Sequence, residues 1–97
     1  MAELGTTGQL TLDRRLDLTA AAGLHHSLLA HDSQHLVLDA GAVSHLGALC
    51  LQLLIAAADQ RRADGRGMRI TPRSAAFDAA LTTFGLPLDR LQPGGRA

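Results

Sequence analysis

The 97-residue sequence contains no lysine, tryptophan or tyrosine, and two phenylalanines are its only aromatic residues. Proteins that bind single-stranded nucleic acid stack bases on aromatic side chains, so that function lacks its usual platform here. Nine basic and nine acidic residues give a formal net charge of zero at neutral pH. No overall field would therefore attract nucleic acid or an anionic membrane.

The single cysteine, Cys50, excludes an internal disulfide and a zinc site built from cysteines. It lies in the longest apolar run, residues 46–58, which is shorter than the about 20 residues that a membrane-spanning helix needs. The first residues, MAELGTTGQLTL, lack the basic and apolar segments of a secretory signal. These absences predict a cytoplasmic protein that does not insert into a membrane.

What is present, 46% hydrophobic and 19% charged residues, is typical of one globular domain. The order of apolar patterns predicts an α/β fold, with a small, mostly parallel or mixed sheet of three to five strands and helices packed against it. We expect one domain over residues 1–97, with a core at about 8–91 and loose ends. The predicted strands lie at 10–12, at 36–38, where both faces are buried, and at 68–70, ending at Thr71 and Pro72. The predicted helices run from the cap Asp17 or Thr19 to about 31, over 45–63 with Ser44 as the cap, and between the cap Ser74 and Gly85.

In small parallel sheets, functional residues concentrate in the loops that follow the strands. The connection from Asp39 to Gly47 is therefore the first candidate site. Asp39 is not predicted to accept a phosphoryl group, because the chain lacks the lysine and the acidic pair of such sites. We interpret it as a hydrogen-bonding cap of the loop.

Other reactive residues do not form a recognisable centre. The five histidines lack metal-ligand spacing, and Cys50 has no neighbouring base that would make a thiolate. We therefore expect no metal, no cofactor and no enzymatic activity. Five arginines between residues 61 and 73 accompany one acid, Asp64, and indicate either a solvated face or a docking surface for an acidic partner or phosphate.

A family resemblance rests on three stretches: LTLDRRLDLTAAAGLHHSLL at 10–29, LVLDAGAVSHLGALCLQLLIAA at 36–57 and ADGRGMRITPRSAAFDAALTTFGL at 63–86. They resemble the STAS domains of anti-sigma-factor antagonists and cover about residues 10–88. The resemblance implies a non-enzymatic protein–protein interaction module of bacterial signalling, in sigma-factor control or chemotaxis. Its partner would be a kinase-like or sensor component.

In that family the loop after the central strand carries a Ser or Thr that a partner kinase phosphorylates. Alignment on Asp39 and Val43 places Ala48 at this position, with Gly47 on the preceding aspartate. Alanine cannot carry phosphate, so the resemblance implies partner binding that is independent of phosphorylation. The implied partner-binding residues are Asp39, Ser44, His45, Gly47, Ala48 and Leu51.

The family also has a strand before the first one predicted here, and Met1 to Thr7 contain few apolar residues to form it. An open sheet edge beside a helix that is apolar all round favours a homodimer or a stable partner complex. The alternative function is an accessory STAS subunit of a phospholipid-transport ABC transporter, with the transporter ATPase as partner.

Overall fold

The main sheet has three parallel strands in the order β1-β3-β5, in a computed structural model that describes residues 7–94. A separate two-stranded parallel pair joins β2 and β4. The strands are β1 (Thr7–Thr11), β2 (Arg15–Leu16), β3 (His35–Ala40), β4 (His45–Leu46) and β5 (Gly67–Arg73). The helices are α1 (Leu18–Ala30), α2 (Ala48–Ala63) and α3 (Ala75–Phe84), followed by a short 3-10 helix at Leu88–Leu91. The predicted α/β class is confirmed.

The sheet buries one face, and its register explains which residues form the core. Leu10, Leu38 and Ile70 lie side by side on the three strands, and the last two are fully buried. Val37 and Arg69 belong to the other face, where Val37 is half-buried and Arg69 exposed. β3 is therefore central as predicted, but the expectation that both of its faces are buried is wrong.

Two of the three predicted N-terminal helix caps are confirmed, those of α1 and α3. The Asp17 carboxylate accepts from the Thr19 N–H at 3.1 Å and starts α1, and the Ser74 hydroxyl accepts from the Phe77 N–H at 3.0 Å and starts α3. The hydroxyl of Ser74 also donates to the Val43 carbonyl. Gly85 ends α3 with a φ of 69°, which is the left-handed conformation that glycine adopts without strain.

The predicted cap of α2 is wrong. Ser44 and His45 lie before the helix, because His45 and Leu46 form β4 against β2 and the helix begins only at Ala48. Gly47 is the actual cap residue. β5 also differs from its prediction, since it continues beyond Thr71 and Pro72 to Arg73, which pairs with Ala40. The strand that the STAS family has before β1, for which Met1 to Thr7 contain few apolar residues, would fall on residues 1–6, which lie outside the described residues.

The two long helices α1 and α2 run side by side in the same direction. The thiol of Cys50, in the first turn of α2, donates to the Asp17 carbonyl at the start of α1 at 3.4 Å. At the other end, Arg61 of α2 donates to the carbonyl of His31, the residue that ends α1, at 3.0 Å. Both ends of the pair are therefore held by hydrogen bonds.

Arg61 is the one buried charged residue in the described part of the chain, at 5% exposure. Its Nη1 donates to the carbonyls of Ser33 and Gly67, each at 3.0 Å, in addition to the bond from Nη2 to His31. Burial lowers the pKa of the guanidinium, and the nearby charge of Arg66 adds to this. Because the three carbonyls come from the end of α1, the following turn and the start of β5, one side chain joins these elements to α2.

Replacing Arg61 should therefore destabilise the fold strongly. Arg61→Met removes three hydrogen bonds, one of them buried and two partly buried, which should cost about 3 kcal/mol in the free energy of unfolding. Urea unfolding followed by circular dichroism measures this cost. Arg69→Met, at an exposed position, is the control and should change stability by less than about 0.5 kcal/mol. Equal effects of the two substitutions would contradict the proposed structural role.

Substitution of Ser74 and of Ser44 tests which of the two serines caps a helix. Ser74→Ala removes the α3 cap and the bond to Val43 and should cost about 1 to 2 kcal/mol, whereas Ser44→Ala should cost less than about 0.5 kcal/mol. The same urea titration tests both. A larger loss for Ser44→Ala than for Ser74→Ala would contradict this ranking of the two hydroxyls.

Candidate partner-binding surface

The short pair of β2 and β4 brings the first turns of α1 and α2 together. Leu16 pairs with Leu46, and the Gly47 N–H donates to the Leu16 carbonyl at 2.9 Å. Both leucines are buried, at 1% and 4% exposure. Each strand leads directly into its helix, so the pairing fixes where the two helices start.

The carbonyl of Arg14 adds a second attachment. It accepts from the N–H groups of Ser44 and His45 at 2.7 and 3.2 Å, and from the Ser44 hydroxyl at 3.1 Å. The Ser44 side chain thus stabilises the connection between β3 and β4 instead of capping α2. This contact joins residues 30 positions apart in the sequence.

Apolar side chains lie exposed where the two helices begin. Leu18, the first residue of α1, is 76% exposed, and Leu49, in the first turn of α2, is 42% exposed. Ala48 is also exposed. The helix-start surface, as it is called below, consists of Leu18, Ser44, His45, Ala48 and Leu49, all of which are exposed.

The first N–H groups of α2 receive no cap from a side chain, because Gly47 has none and the first turn contains no acidic residue. Such a helix start carries a partial positive charge and unused donors. A carboxylate of a partner protein would be stabilised there.

Three of the predicted site residues, Ser44, His45 and Ala48, lie together on the helix-start surface, and the half-buried Gly47 lies behind them. Asp39 uses one carboxylate oxygen within the loop, because its Oδ1 accepts from the Gly41 N–H at 2.8 Å. This bond agrees with its interpretation as a loop cap. Leu51 is only 4% exposed and belongs to the core, so the structure contradicts its assignment to a contact surface.

The sequence analysis did not identify Leu18, and it included Leu49 only as part of a helix that is apolar all round. Leu18 stands three residues before Ala21, at the spacing of the buried stripe of α1, so periodicity favours burial. No signal in the sequence identifies its exposure. For Leu49 the signal existed, since α2 is apolar on more than one side.

The remaining candidates for a chemical site are the Cys50 thiol and a cluster of metal ligands. Burial is the main cause that raises the pKa of the Cys50 thiol, and the charges of Asp17 and Asp13 act in the same direction. A raised pKa disfavours the reactive thiolate. Among residues 7–94, no group of three or more metal-ligating side chains comes together.

The five arginines between residues 61 and 73 do not form one free basic patch. Arg61 is buried, Arg62 pairs with Asp59 at 3.0 Å, and Arg73 pairs with Asp78 at 2.7 Å. The docking role suggested by their closeness in the sequence therefore loses three of its five charges to contacts within the protein.

Comparisons with known proteins support the fold. No known family model and no curated protein matches the sequence. The crystal structure of a sulfate transporter family protein from Wolinella succinogenes is similar, with a TM-score of 0.75 and 17% sequence identity over 94% of this chain and 75% of that chain. The shared architecture agrees with the arrangement expected of a STAS-like domain. Among residues 7–94, no helix is long and apolar enough to cross a membrane.

Asp17 makes the start of α1 sensitive to acid. The Thr19 hydroxyl donates to its Oδ1 at 2.6 Å, and this bond, followed by the N–H groups of Ala20 and Thr19, holds the pKa of the carboxyl below its usual range. A lowered pKa in the folded state stabilises the fold at pH values above the unfolded value of about 3.9. This contribution disappears as the pH falls through the lower folded value.

Asp17→Asn keeps the capping oxygen but removes the charge. We therefore expect the wild-type protein to have the higher urea midpoint at pH 6, and the difference from the variant to shrink in strongly acidic solution. A constant difference between pH 6 and acid would show that the charge of Asp17 does not contribute.

Proposed function

We propose that this chain is a non-enzymatic, regulatory protein–protein interaction module of the STAS type, acting in the cytoplasm in bacterial signalling. Its partner, a kinase-like or sensor component, would bind the helix-start surface. The observation that carries the proposal is the exposure of Leu18 and Leu49 beside Ala48, at helix starts that the β2–β4 pair fixes in position.

The chemistry of this surface suits a protein partner. Burial of Leu18 and Leu49 would contribute about 25 cal/mol for each Å² of apolar area removed from water. The uncapped start of α2 would accept a partner carboxylate between them, which adds specificity. A rigid backbone at both helix starts limits the conformational entropy lost on binding.

Binding in this proposal does not depend on phosphorylation at the position where the STAS family carries its acceptor. Ala48 has no hydroxyl, so a partner kinase cannot add charge there. The nearby hydroxyl of Ser44 donates to the Arg14 carbonyl and helps to hold the loop. The only thiol of the chain, Cys50, is buried, and the proposal gives it no catalytic role.

A second candidate function is an accessory subunit of a transporter, with a phospholipid-transport ABC transporter as the case considered. The observation that favours this class is the similar structure described as a sulfate transporter family protein. In this case the transporter ATPase would occupy the helix-start surface.

A substitution at Ala48 tests the surface. Ala48→Arg places a long, positively charged side chain at the positive end of α2, on the helix-start surface, and should weaken partner binding at least about tenfold. Ala63→Arg, exposed at the last position of the same helix, is the matched control and should bind normally. Gly47 is a less suitable position, because an added Cβ would lie 3.2 Å from the Leu16 carbonyl oxygen and would require the neighbouring backbone to shift.

The measurement is affinity purification of the tagged wild-type protein and both variants from native cytosol and solubilised membranes, with identification of retained proteins and light scattering for stoichiometry. A kinase or sensor retained by all but Ala48→Arg supports the signalling function, and an ATPase with permease subunits supports the transporter function. Retention of the same partner by Ala48→Arg would count against the surface. A homodimer that Ala48→Arg dissociates would assign the surface to self-association.

A further inference from the structure

A cleft of about 320 Å³ lies between the second halves of α1 and α2, at the opposite end of the helix pair from the helix-start surface. Its volume falls at the lower end of the range of small-molecule sites. It is lined by His25, Leu28, Leu29, His31, Asp32, Leu53, Ala56, Ala57, Gln60, Arg61, Asp64 and Arg66.

The middle of the cleft has apolar walls. Leu28 and Leu29 contribute from α1, and Leu53, Ala56 and Ala57 from α2. Leu29 lines the cleft, and its side chain is 71% exposed. The small side chains of Ala56 and Ala57 leave room for an alkyl chain beside the three leucines.

One end of the cleft lies next to the C-terminal ends of α1 and α2. This end carries a buried positive charge. Arg61 is 5% exposed and makes no ion pair with any residue in the described part of the chain. Its three hydrogen bonds use both Nη1 hydrogens and one on Nη2. The Nε hydrogen and the second Nη2 hydrogen have no partner among residues 7–94. A buried guanidinium without a carboxylate and with spare donors is complementary to an anion.

Charged neighbours modify this end. Arg66 also lines the cleft and makes no ion pair among residues 7–94, so it adds a second positive charge. Asp32 and Asp64 line the cleft as well, but both are exposed, and water and salt screen exposed charges more strongly than buried ones. The buried charge therefore favours an anionic head group over a cationic one.

We propose that this cleft binds a small anionic amphiphile, namely a free medium-length alkyl carboxylate. The alkyl chain lies along the leucine and alanine walls, and the carboxylate accepts hydrogen bonds from Arg61 with Arg66 nearby. This inference does not depend on the partner-binding function, because the cleft and the helix-start surface share no residue.

Isothermal titration calorimetry with sodium decanoate, below its micelle concentration, tests the proposal on the full chain. We expect saturable binding with one site and a dissociation constant on the order of 0.1 mM. Octanoate, with two fewer methylenes, should bind about tenfold more weakly, since each buried methylene changes affinity about fourfold or less. Decyltrimethylammonium has the same chain and the opposite charge, and it should bind at least tenfold more weakly than decanoate.

Two alanines of α2 provide a matched pair of variants. Ala56→Phe fills the cleft from an exposed position and should abolish decanoate binding, whereas Ala63→Phe, on the same helix outside the cleft, should not change it. Thermal melts followed by circular dichroism check that both variants fold. Arg66→Gln should weaken decanoate binding several-fold without lowering stability, and it tests the head-group end without disturbing Arg61.

Several results would overturn the proposal. They are the absence of saturable decanoate binding, equal binding of the cationic amphiphile, and equal effects of Ala56→Phe and Ala63→Phe. Co-sedimentation with phosphatidylglycerol vesicles that Ala56→Phe prevents, without binding of free decanoate, would assign the cleft to a lipid surface instead. Insertion of an identified partner's helix that Ala56→Phe blocks, again without decanoate binding, would assign it to a protein.

Discussion

The guanidinium of Arg61 is the contact on which the arrangement of the two long helices depends. It stands on α2 and binds carbonyls at the end of α1, in the turn that follows and at the start of β5. One side chain thereby hydrogen-bonds three carbonyls of three different segments, and burial strengthens the dependence of the fold on these bonds. The distance between the ends of α1 and α2, and with it the shape of the cleft, is set by this contact.

The other end of the helix pair is fixed by backbone pairing. β2 and β4 contain two residues each, yet their pairing brings together the starts of α1 and α2, where Leu18, Ala48 and Leu49 are exposed. The cleft and the helix-start surface are therefore consequences of one parallel helix pair held at both ends. Because Ala48 cannot gain a charge, partner affinity in this account is set by apolar area and shape, with no contribution from a phosphoryl group at that position.

Local signals in the sequence predicted the local features of the fold. Asp17 and Ser74 cap helices because their side chains reach N–H groups two or three residues away, and that spacing is visible in the sequence. The β2–β4 pair could not be predicted, since strands of two residues show no periodicity and their partners lie 30 positions apart. The same pairing explains why Ser44 was misassigned, and why Leu49 instead of Leu51 lies at the surface. Arg61 was counted in a solvated basic run because its carbonyl partners come together only in the folded chain.

Site-specific photo-cross-linking in the native cell tests the central claim, that a partner binds the starts of α1 and α2, most directly. A photoreactive amino acid at Leu49 lies on the proposed surface, and the same amino acid at Ala63 lies at the far end of the same helix. The account predicts a covalent adduct with one identified signalling or transporter protein from position 49 and none from position 63. An adduct with that protein from position 63 alone, or equally from both positions, would contradict it.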